Sequence, residues 1–344
     1  MRTGLLAIIL GCAVTVGTVA AQPVFRVVTY NVENFFDCRD DSLKEDDEFL
    51  PEGTNRWTYS RYWRKHNALS KVVAALSETH IPDLIGLCEV ENDSVLYDLT
   101  RRSALRTLGY RYVVTESPDR RGIDVALLYQ PGTFSVLSTR SIRIPSAVSG
   151  FRPTRDLLYV CGRIVSGDTL HVWVCHLPSR AGHTRQSDRH RALAVGCLKQ
   201  AMDSVRRVRP SARMLVMGDC NAGIRQKVLR EVLGVKEYGR DTLTPDSAGE
   251  LWALPLRCSE DVKGSYRYRG IWETIDHILV SGSLLDDRSS FRADPSAYRV
   301  AAFPFLCEPD ATYGGLKPFR TYQGPVYKGG FSDHLPLVLD FVSK

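Results

Sequence analysis

An α+β fold with a large share of antiparallel sheet is what this sequence predicts, and three features predict it. Short β-rich runs outnumber helical ones. Several of those runs follow one another with no helix between them. No Pro/Gly/Ser-rich linker and no internal repeat divides the chain. The 344 residues are 44% apolar and 24% charged, ordinary values for a chain that packs a sizeable core. Residues 22–344 are therefore expected to form one domain, folded from about residue 24 onwards.

Phe25–Val32 reads as the first strand, and Tyr59–Glu78 as a helix with Leu69, Val72 and Leu76 on one face. Pro82 precedes a short apolar strand, Leu84–Leu87. Val125–Tyr129, Phe134–Ile144, Leu157–Val165 and Thr169–Cys175 read as consecutive strands. Ser187–Ser204 is a helix, with Leu193, Cys197 and Ala201 at four-residue spacing. Met214–Met217, Ile275–Val280 and Leu335–Phe341 complete the strands. The acidic stretch Asp37–Glu52 is a surface loop, or in part a wall of whatever site Asn31 belongs to, since it directly follows that residue.

The first 21 residues differ from the rest. Arg2 is followed by the apolar run Leu5–Leu10 and then by small residues ending Val19-Ala20-Ala21, the pattern of a secretory signal cleaved near Ala21. Ile9-Leu10-Gly11-Cys12 is a weaker match to a lipoprotein site. No later segment is long and apolar enough to span a membrane, so a secreted or periplasmic monomer is expected. The formal charge is +6, or about +5 once Arg2 is removed (6 − 1); it suits an anionic substrate but is no polybasic nucleic-acid surface. Export permits disulfides. Cys88, Cys175 and Cys220 nevertheless sit in or beside apolar runs, where buried thiols are the plainer reading. Cys258 with Cys307 stays open as a bridge, and no Cys/His cluster points to zinc.

The polar residues that carry chemistry recur at one kind of place, the end of an apolar run. Asn31, Glu89, His176, Asp219 with Asn221, Asp276, and Asp333-His334 all stand there. Strand ends gathered at one rim are how a fold assembles a site from distant residues. Asn31, Glu89, Asp219, Asn221 and Asp333 offer oxygen donors of the kind Mg²⁺ takes. His176 and His334 suit phosphate binding or proton transfer, and Asp276 and Asp124 are strand carboxylates able to orient a histidine. Each residue alone has a plainer reading as a solvated loop, a turn or a structural ion pair. The ordered set is what argues for a site.

That set resembles the endonuclease/exonuclease/phosphatase superfamily. The matching elements are Thr29-Tyr30-Asn31-Val32, Leu87-Cys88-Glu89-Val90, Arg121-Gly122-Ile123-Asp124-Val125-Ala126, Cys175-His176-Leu177-Pro178-Ser179-Arg180, Gly218-Asp219-Cys220-Asn221, Ile275-Asp276-His277-Ile278 and Phe331-Ser332-Asp333-His334-Leu335-Pro336. The Asn-Val-Glu-Asn opening and the His-x-Pro-Ser-Arg element are similar to an exported bacterial branch. The resemblance implies a four-layered α/β/β/α sandwich of two mainly antiparallel sheets. It implies that Glu89 holds a metal, Mg²⁺ or Mn²⁺, with Asn31 and Asp333 as neighbours. It makes Asp219 and Asn221 the pair that orients the nucleophile or leaving group, His176 a phosphate ligand with Asp124 as its partner, and His334–Asp276 a His–Asp pair. Cys88 stands where glutamine is common and Cys220 where an aromatic is common; both read as packing variants.

Substrate is less constrained. Arg180, Arg185, His183 and Arg189 follow His176 and suit a phosphate clamp, although a solvated helix start explains Arg185 as well and Arg189 better. Tyr266, Tyr268 and Trp272 precede Asp276, placed to stack on a base or sugar or simply to pack the rim. The leading expectation is a metal-dependent phosphodiester hydrolase, an endonuclease acting on nucleic acid. A phosphomonoesterase or lipid phosphodiesterase of the inositol-phosphate or sphingomyelin type is the second reading, and a non-catalytic binding protein on the same fold the third.

Overall fold

The structure, a computed structural model, describes residues 25–146, 151–180 and 185–343. The proposed signal segment, Cys12 and His183 lie outside them.

Two seven-stranded sheets are stacked. The first holds β1 (Phe25–Phe35), β2 (Leu84–Val90), β3 (Arg111–Val114) and β4 (Asp124–Tyr129). The second holds β5 (Phe134–Ile142), β6 (Leu157–Ile164), β7 (Thr169–His176), β8 (Arg213–Asp219), β9 (Lys236–Glu237) and β10 (Leu251–Ala253). A hairpin of β11 (Tyr266–Tyr268) and β12 (Ile271–Glu273) leads into β13 (Asp276–Ser281), which joins the second sheet. The chain then returns to the first sheet through β14 (Phe291–Ala293) and β15 (Arg299–Val300). Two further hairpins, β16–β17 (Cys307–Pro309, Leu316–Pro318) and β18–β19 (Tyr322–Gln323, Val326–Tyr327), precede β20 (Leu337–Ser343). The first sheet runs β14-β20-β1-β2-β4-β3, with β15 also on β20, and the second β5-β6-β7-β8-β13-β10-β9. Pairing is antiparallel except for β1–β2, β7–β8 and β9–β10.

Side-chain parity sorts these strands into layers. Val28, Tyr30 and Val32 of β1 and Ile85 and Leu87 of β2 face Leu69, Val72, Val73 and Leu76 of α1 (Tyr59–Leu76). The opposite parity, with Val27, Leu84, Val172, Val174, Leu215, Met217, Ile278 and Val280, fills the space between the sheets. The outer face of the second sheet (Trp173, Cys175, Met214, Val216, Leu279) packs on Ala194, Val195, Leu198 and Met202 of α3 (Arg185–Val208). The result is the expected α/β/β/α order. A one-turn helix, α2 (Asp93–Tyr97), capped by the Asn92 side chain, follows β2. The described cysteines are all free, Cys258 and Cys307 included, and no described helix is long and apolar enough to cross a membrane.

Gly218 is required by the parallel β7–β8 contact. Its φ is +134°, and an added Cβ would sit 1.9 Å from the Cys175 carbonyl oxygen. Gly218→Ala is expected to cost about 3 kcal/mol or more in urea denaturation. Gly132→Ala, where a Cβ meets nothing within 4 Å, should be nearly neutral.

His66 on α1 is fully buried among the rings of Phe35, Tyr62 and Trp63, and both ring nitrogens lack partners among the described residues. Burial pushes its pKa down to about 3. Because the folded value is depressed below the ordinary 6.5, the stability tied to neutral His66 is complete above pH 6.5 and is lost as pH falls towards 3. Between pH 7 and pH 5 the wild type should lose about 2 kcal/mol that a His66→Leu variant keeps, read by urea denaturation at the two pH values. Equal losses in both proteins would refute the assignment.

Candidate functional site

The site lies on the rim where β1, β2, β7 and β8 end. Each sheet has a parallel pair at its centre, so four central strands deliver their C-terminal ends to the same edge. His176 is in register with Asp219, and Asp219 with Asp276. Glu89 would by parity follow Ile85 and Leu87 towards α1. It does not, because it is the extra residue of a bulge: pairing skips from Cys88 to Val90 on both sides of β2. Its φ is +65°, and Glu33 (+52°), Asn34 (+51°) and Asn221 (+48°) are also left-handed. Four of the six non-glycine residues with positive φ among the described residues therefore surround this rim, a concentration of strain typical of working sites.

Asn31, Glu89, Asp219 and the two histidines come together. The Asn31 amide donates to Glu89 Oε1 at 3.3 Å and to Asp219 Oδ2 at 3.1 Å. The Asn34 N–H donates to Glu89 Oε2 at 2.8 Å. His176 Nε2 stands 3.6 Å from Asp219 Oδ2 and 4.0 Å from Glu89 Oε1. His334 Nε2 approaches the same Asp219 oxygen at 3.8 Å, while its Nδ1 is 2.8 Å from Asp276 Oδ2. Asp276 Oδ2 also accepts from the Ser265 hydroxyl, and the Tyr266 ring lies against His334 at 4.8 Å. The Asn221 N–H donates to Asp219 Oδ1, and its side chain to the Leu177 carbonyl.

Burial and the neighbouring Asp276 push Asp219 up to about 7. Burial would raise Glu89, but Arg121 and the Asn34 amide outweigh it and hold Glu89 low. Burial would lower His334, but Asp276 and Asp219 outweigh it and lift the ring well above its ordinary value. His176 is held well down by burial, then by Arg155 and Arg121.

These donors fit a hard divalent cation. Glu89 Oε1 and Asp219 Oδ2 converge on one amide, and a buried carboxylate that resists ionisation, as Asp219 does, is what a cation relieves. Asp219, Asp276 and His334 also offer three donor atoms within 4.8 Å of one another. While its ring is protonated, however, His334 has no lone pair to offer a metal.

Other expected residues fall elsewhere. Asp124 does not partner His176: its carboxylate accepts from the Thr115 hydroxyl and the Ser117 N–H, and His176 Nδ1 has no partner among the described residues. Asp333 is ion-paired with Arg320 at 3.1 Å. Arg180 is paired with Glu273. Arg185 is exposed at the start of α3, and Tyr268 is exposed on β11 with the Arg269 guanidinium 5.2 Å over its ring.

Sequence reasoning missed Glu33, which is buried and accepts from the Thr321 N–H and Arg320, so it ties the 320–322 segment to β1. It also missed a cavity of about 520 Å³ beside Glu89 and His176. Asp119, Arg120 and Arg121 line one side, Phe151 to Arg155 another, and Gln186, Ser187 and His190 a third. Glu45 reaches it too, so the acidic loop does contribute a wall. The Arg121 and Arg152–Arg155 spacing was visible, but nothing in sequence joins those segments.

A sandwich of this topology with acidic and histidine side chains on its rim defines the class of hydrolases that act on phosphate esters. The chain belongs to the endonuclease/exonuclease/phosphatase family, whose model matches residues 26–343. No curated relative matches it in sequence. Among solved structures it is similar to a mannosyl-6-phosphatase of Bacteroides thetaiotaomicron VPI-5482, with 15% identity, 92% of this chain and 99% of that one covered, and a TM-score of 0.58. It is similar to the human nocturnin catalytic domain with bound sulfate (19%, 94% and 96%, TM-score 0.53). It is also similar to D. rerio TDP2 complexed with a single-strand DNA product (14%, 93% and 99%, TM-score 0.53). At these identities the likeness concerns the fold.

Proposed function

We propose that this chain is an exported, divalent-cation-assisted hydrolase of phosphate esters whose alcohol part is compact, such as a sugar or polyol phosphate. The observation that carries the reading is the cavity opening directly beside Glu89 and His176, rimmed by arginines and of a size suited to a small ligand. The mannosyl-6-phosphatase of the same fold fits it.

In this reading Glu89, Asn31 and Asp219 would hold Mg²⁺ or Mn²⁺, with Asp333, ion-paired to Arg320, as their neighbour, and the cation would supply neutralising charge on the phosphate oxygens. His176 donates to a phosphate oxygen. Asp219 and Asn221 orient the water that attacks phosphorus in line with the leaving oxygen. His334, fixed by Asp276, handles a proton at Nε2.

Nucleic acid is the second reading. The exposed Tyr268 ring under Arg269, on a hairpin whose other strand carries Glu273 paired with Arg180, offers a stacking surface outside the cavity. Purified protein with Mg²⁺ or Mn²⁺ is assayed on p-nitrophenyl phosphate, sugar and inositol phosphates, plasmid DNA, RNA and sphingomyelin. Turnover of sugar or inositol phosphates above a Glu89→Gln control supports the first reading, and preferential cleavage of DNA or RNA the second. No activity above that control on any substrate would overturn the hydrolase assignment.

Export with cleavage near Ala21 and a single domain from Gln22 onwards belong to the same proposal. The N-terminus of the exported protein should be Gln22, read by Edman or mass-spectrometric sequencing. A product starting at lipidated Cys12 would show a different exit signal.

A further inference from the structure

We infer that the cavity beside the reacting centre carries a second anion subsite, built around Arg152 and Arg121, so that the preferred substrate is a compact phosphate ester bearing a second phosphate or carboxylate on its alcohol part. This rests on the phosphate-ester hydrolase reading and narrows its substrate class.

Charge in the cavity does not balance. Its lining holds four arginines against three carboxylates. Arg120 is paired with Glu45 at 2.6 Å, and Arg155 with Asp119 at 3.3 Å. Glu89 alone remains for Arg121 and Arg152, and Glu89 is engaged at the cation site. Neither Arg121 nor Arg152 forms a close ion pair with a carboxylate among the described residues, although Arg121 is near enough to hold the Glu89 carboxyl low, and both are exposed to the cavity. A guanidinium left without a carboxylate beside a reacting phosphate is a fork waiting for a second oxyanion.

Hydrogen-bond accounting agrees. Arg155 is more than nine-tenths buried, yet its Nε–H has no partner, although Nη1 and Nη2 are committed to Asp119 and to the Leu177 carbonyl. His190 Nε2, on the same lining, also lacks one. Buried N–H groups are normally satisfied; the Arg155 Nε–H is left over at the cavity wall, and His190 Nε2 donates or accepts according to its tautomer. The His190 ring is stacked on Phe151 at 4.7 Å and 8°, which gives the cavity a flat apolar plate for a carbon skeleton between two anionic ends.

The test uses p-nitrophenyl phosphate turnover to report the reacting centre. Competitors are alkanediol bisphosphates of increasing spacer length, and the matching monophosphates. At the fitting spacer the bisphosphate should inhibit about 10-fold to 100-fold more strongly than its monophosphate, the range of one charge-assisted contact. Arg152→Gln, on the surface and outside the core, should bring that ratio close to one, and Arg152→Lys should restore part of it. Equal inhibition by both competitors at every spacer would overturn the subsite and leave the hydrolase reading standing. A ratio unchanged in Arg152→Gln would do the same to its assignment. A single-stranded oligonucleotide that inhibits better than every bisphosphate, by a margin lost in Arg152→Gln, would show that the second anion is the next phosphate of a strand and overturn the compact ligand. Turnover of none of the substrates assayed above, p-nitrophenyl phosphate included, would overturn the hydrolase reading, and the subsite with it.

Discussion

Asp276→Asn is expected to lower kcat/KM by about three to four orders of magnitude, His334→Ala by about as much, and the double variant by little more than the worse single. Asp276 Oδ2 fixes His334 Nδ1 at 2.8 Å and is itself fixed by the Ser265 hydroxyl at 2.6 Å. The Tyr266 ring supports the imidazole from the side. An amide at position 276 would turn either a second donor or a weaker acceptor towards Nδ1, and the ring would lose the tautomer and charge that Asp276 imposes. Nε2, the atom 3.8 Å from Asp219, would then carry the proton at the wrong stage. His176 reaches the same Asp219 oxygen at 3.6 Å, with Nδ1 tied to nothing among the described residues. Because in the proposed reading His176 donates to a phosphate oxygen while His334 handles a proton, loss of His176 should combine nearly multiplicatively with that of His334, and any shortfall would measure their coupling through the shared Asp219 oxygen. The measurement is kcat/KM for the singles Asp276→Asn, His334→Ala and His176→Ala and for the two doubles. Multiplicative losses for Asp276 with His334 would show that they do not act as a pair.

Much of the rim was legible because its residues stand at the ends of apolar strands, where a fold gathers distant side chains into one site. Asn31, Glu89, His176, Asp219, Asp276 and His334 were found that way, and the structure gathers all six. Period-two alternation could not show how Glu89 reaches them, since parity aims it at α1 and only the bulge turns it round. Asp124 was misjudged for a related reason. A buried strand carboxylate needs a partner, but the nearest donors, Thr115 and Ser117, come from the chain just before it on the neighbouring strand. Arg180 looked free beside His176 because its partner, Glu273, lies 93 residues away. The cavity wall at Phe151–Arg155 has no periodicity of its own, and only the closure of the second sheet brings it opposite Arg121.

Glu89→Gln is expected to cost about three orders of magnitude or more in kcat/KM while leaving the fold intact. The side chain sits at the sheet edge on a bulge, not in the core, so an isostere should fit with an unchanged unfolding midpoint. Its two oxygens now accept from the Asn34 N–H at 2.8 Å and the Asn31 amide at 3.3 Å. Glutamine keeps one acceptor and sets an NH₂ against the other donor, and it removes the negative charge that, with Asp219, suits the pocket to a divalent cation. Mn²⁺ titration by calorimetry should show affinity weakened at least about tenfold in this variant, a reading independent of turnover. EDTA should silence the wild type, and added Mg²⁺ or Mn²⁺ should restore it. Near-wild-type activity of Glu89→Gln in saturating Mg²⁺ would remove Glu89 from the cation site. Full activity in EDTA, with no tightly held metal by elemental analysis, would remove the cation from the reaction altogether.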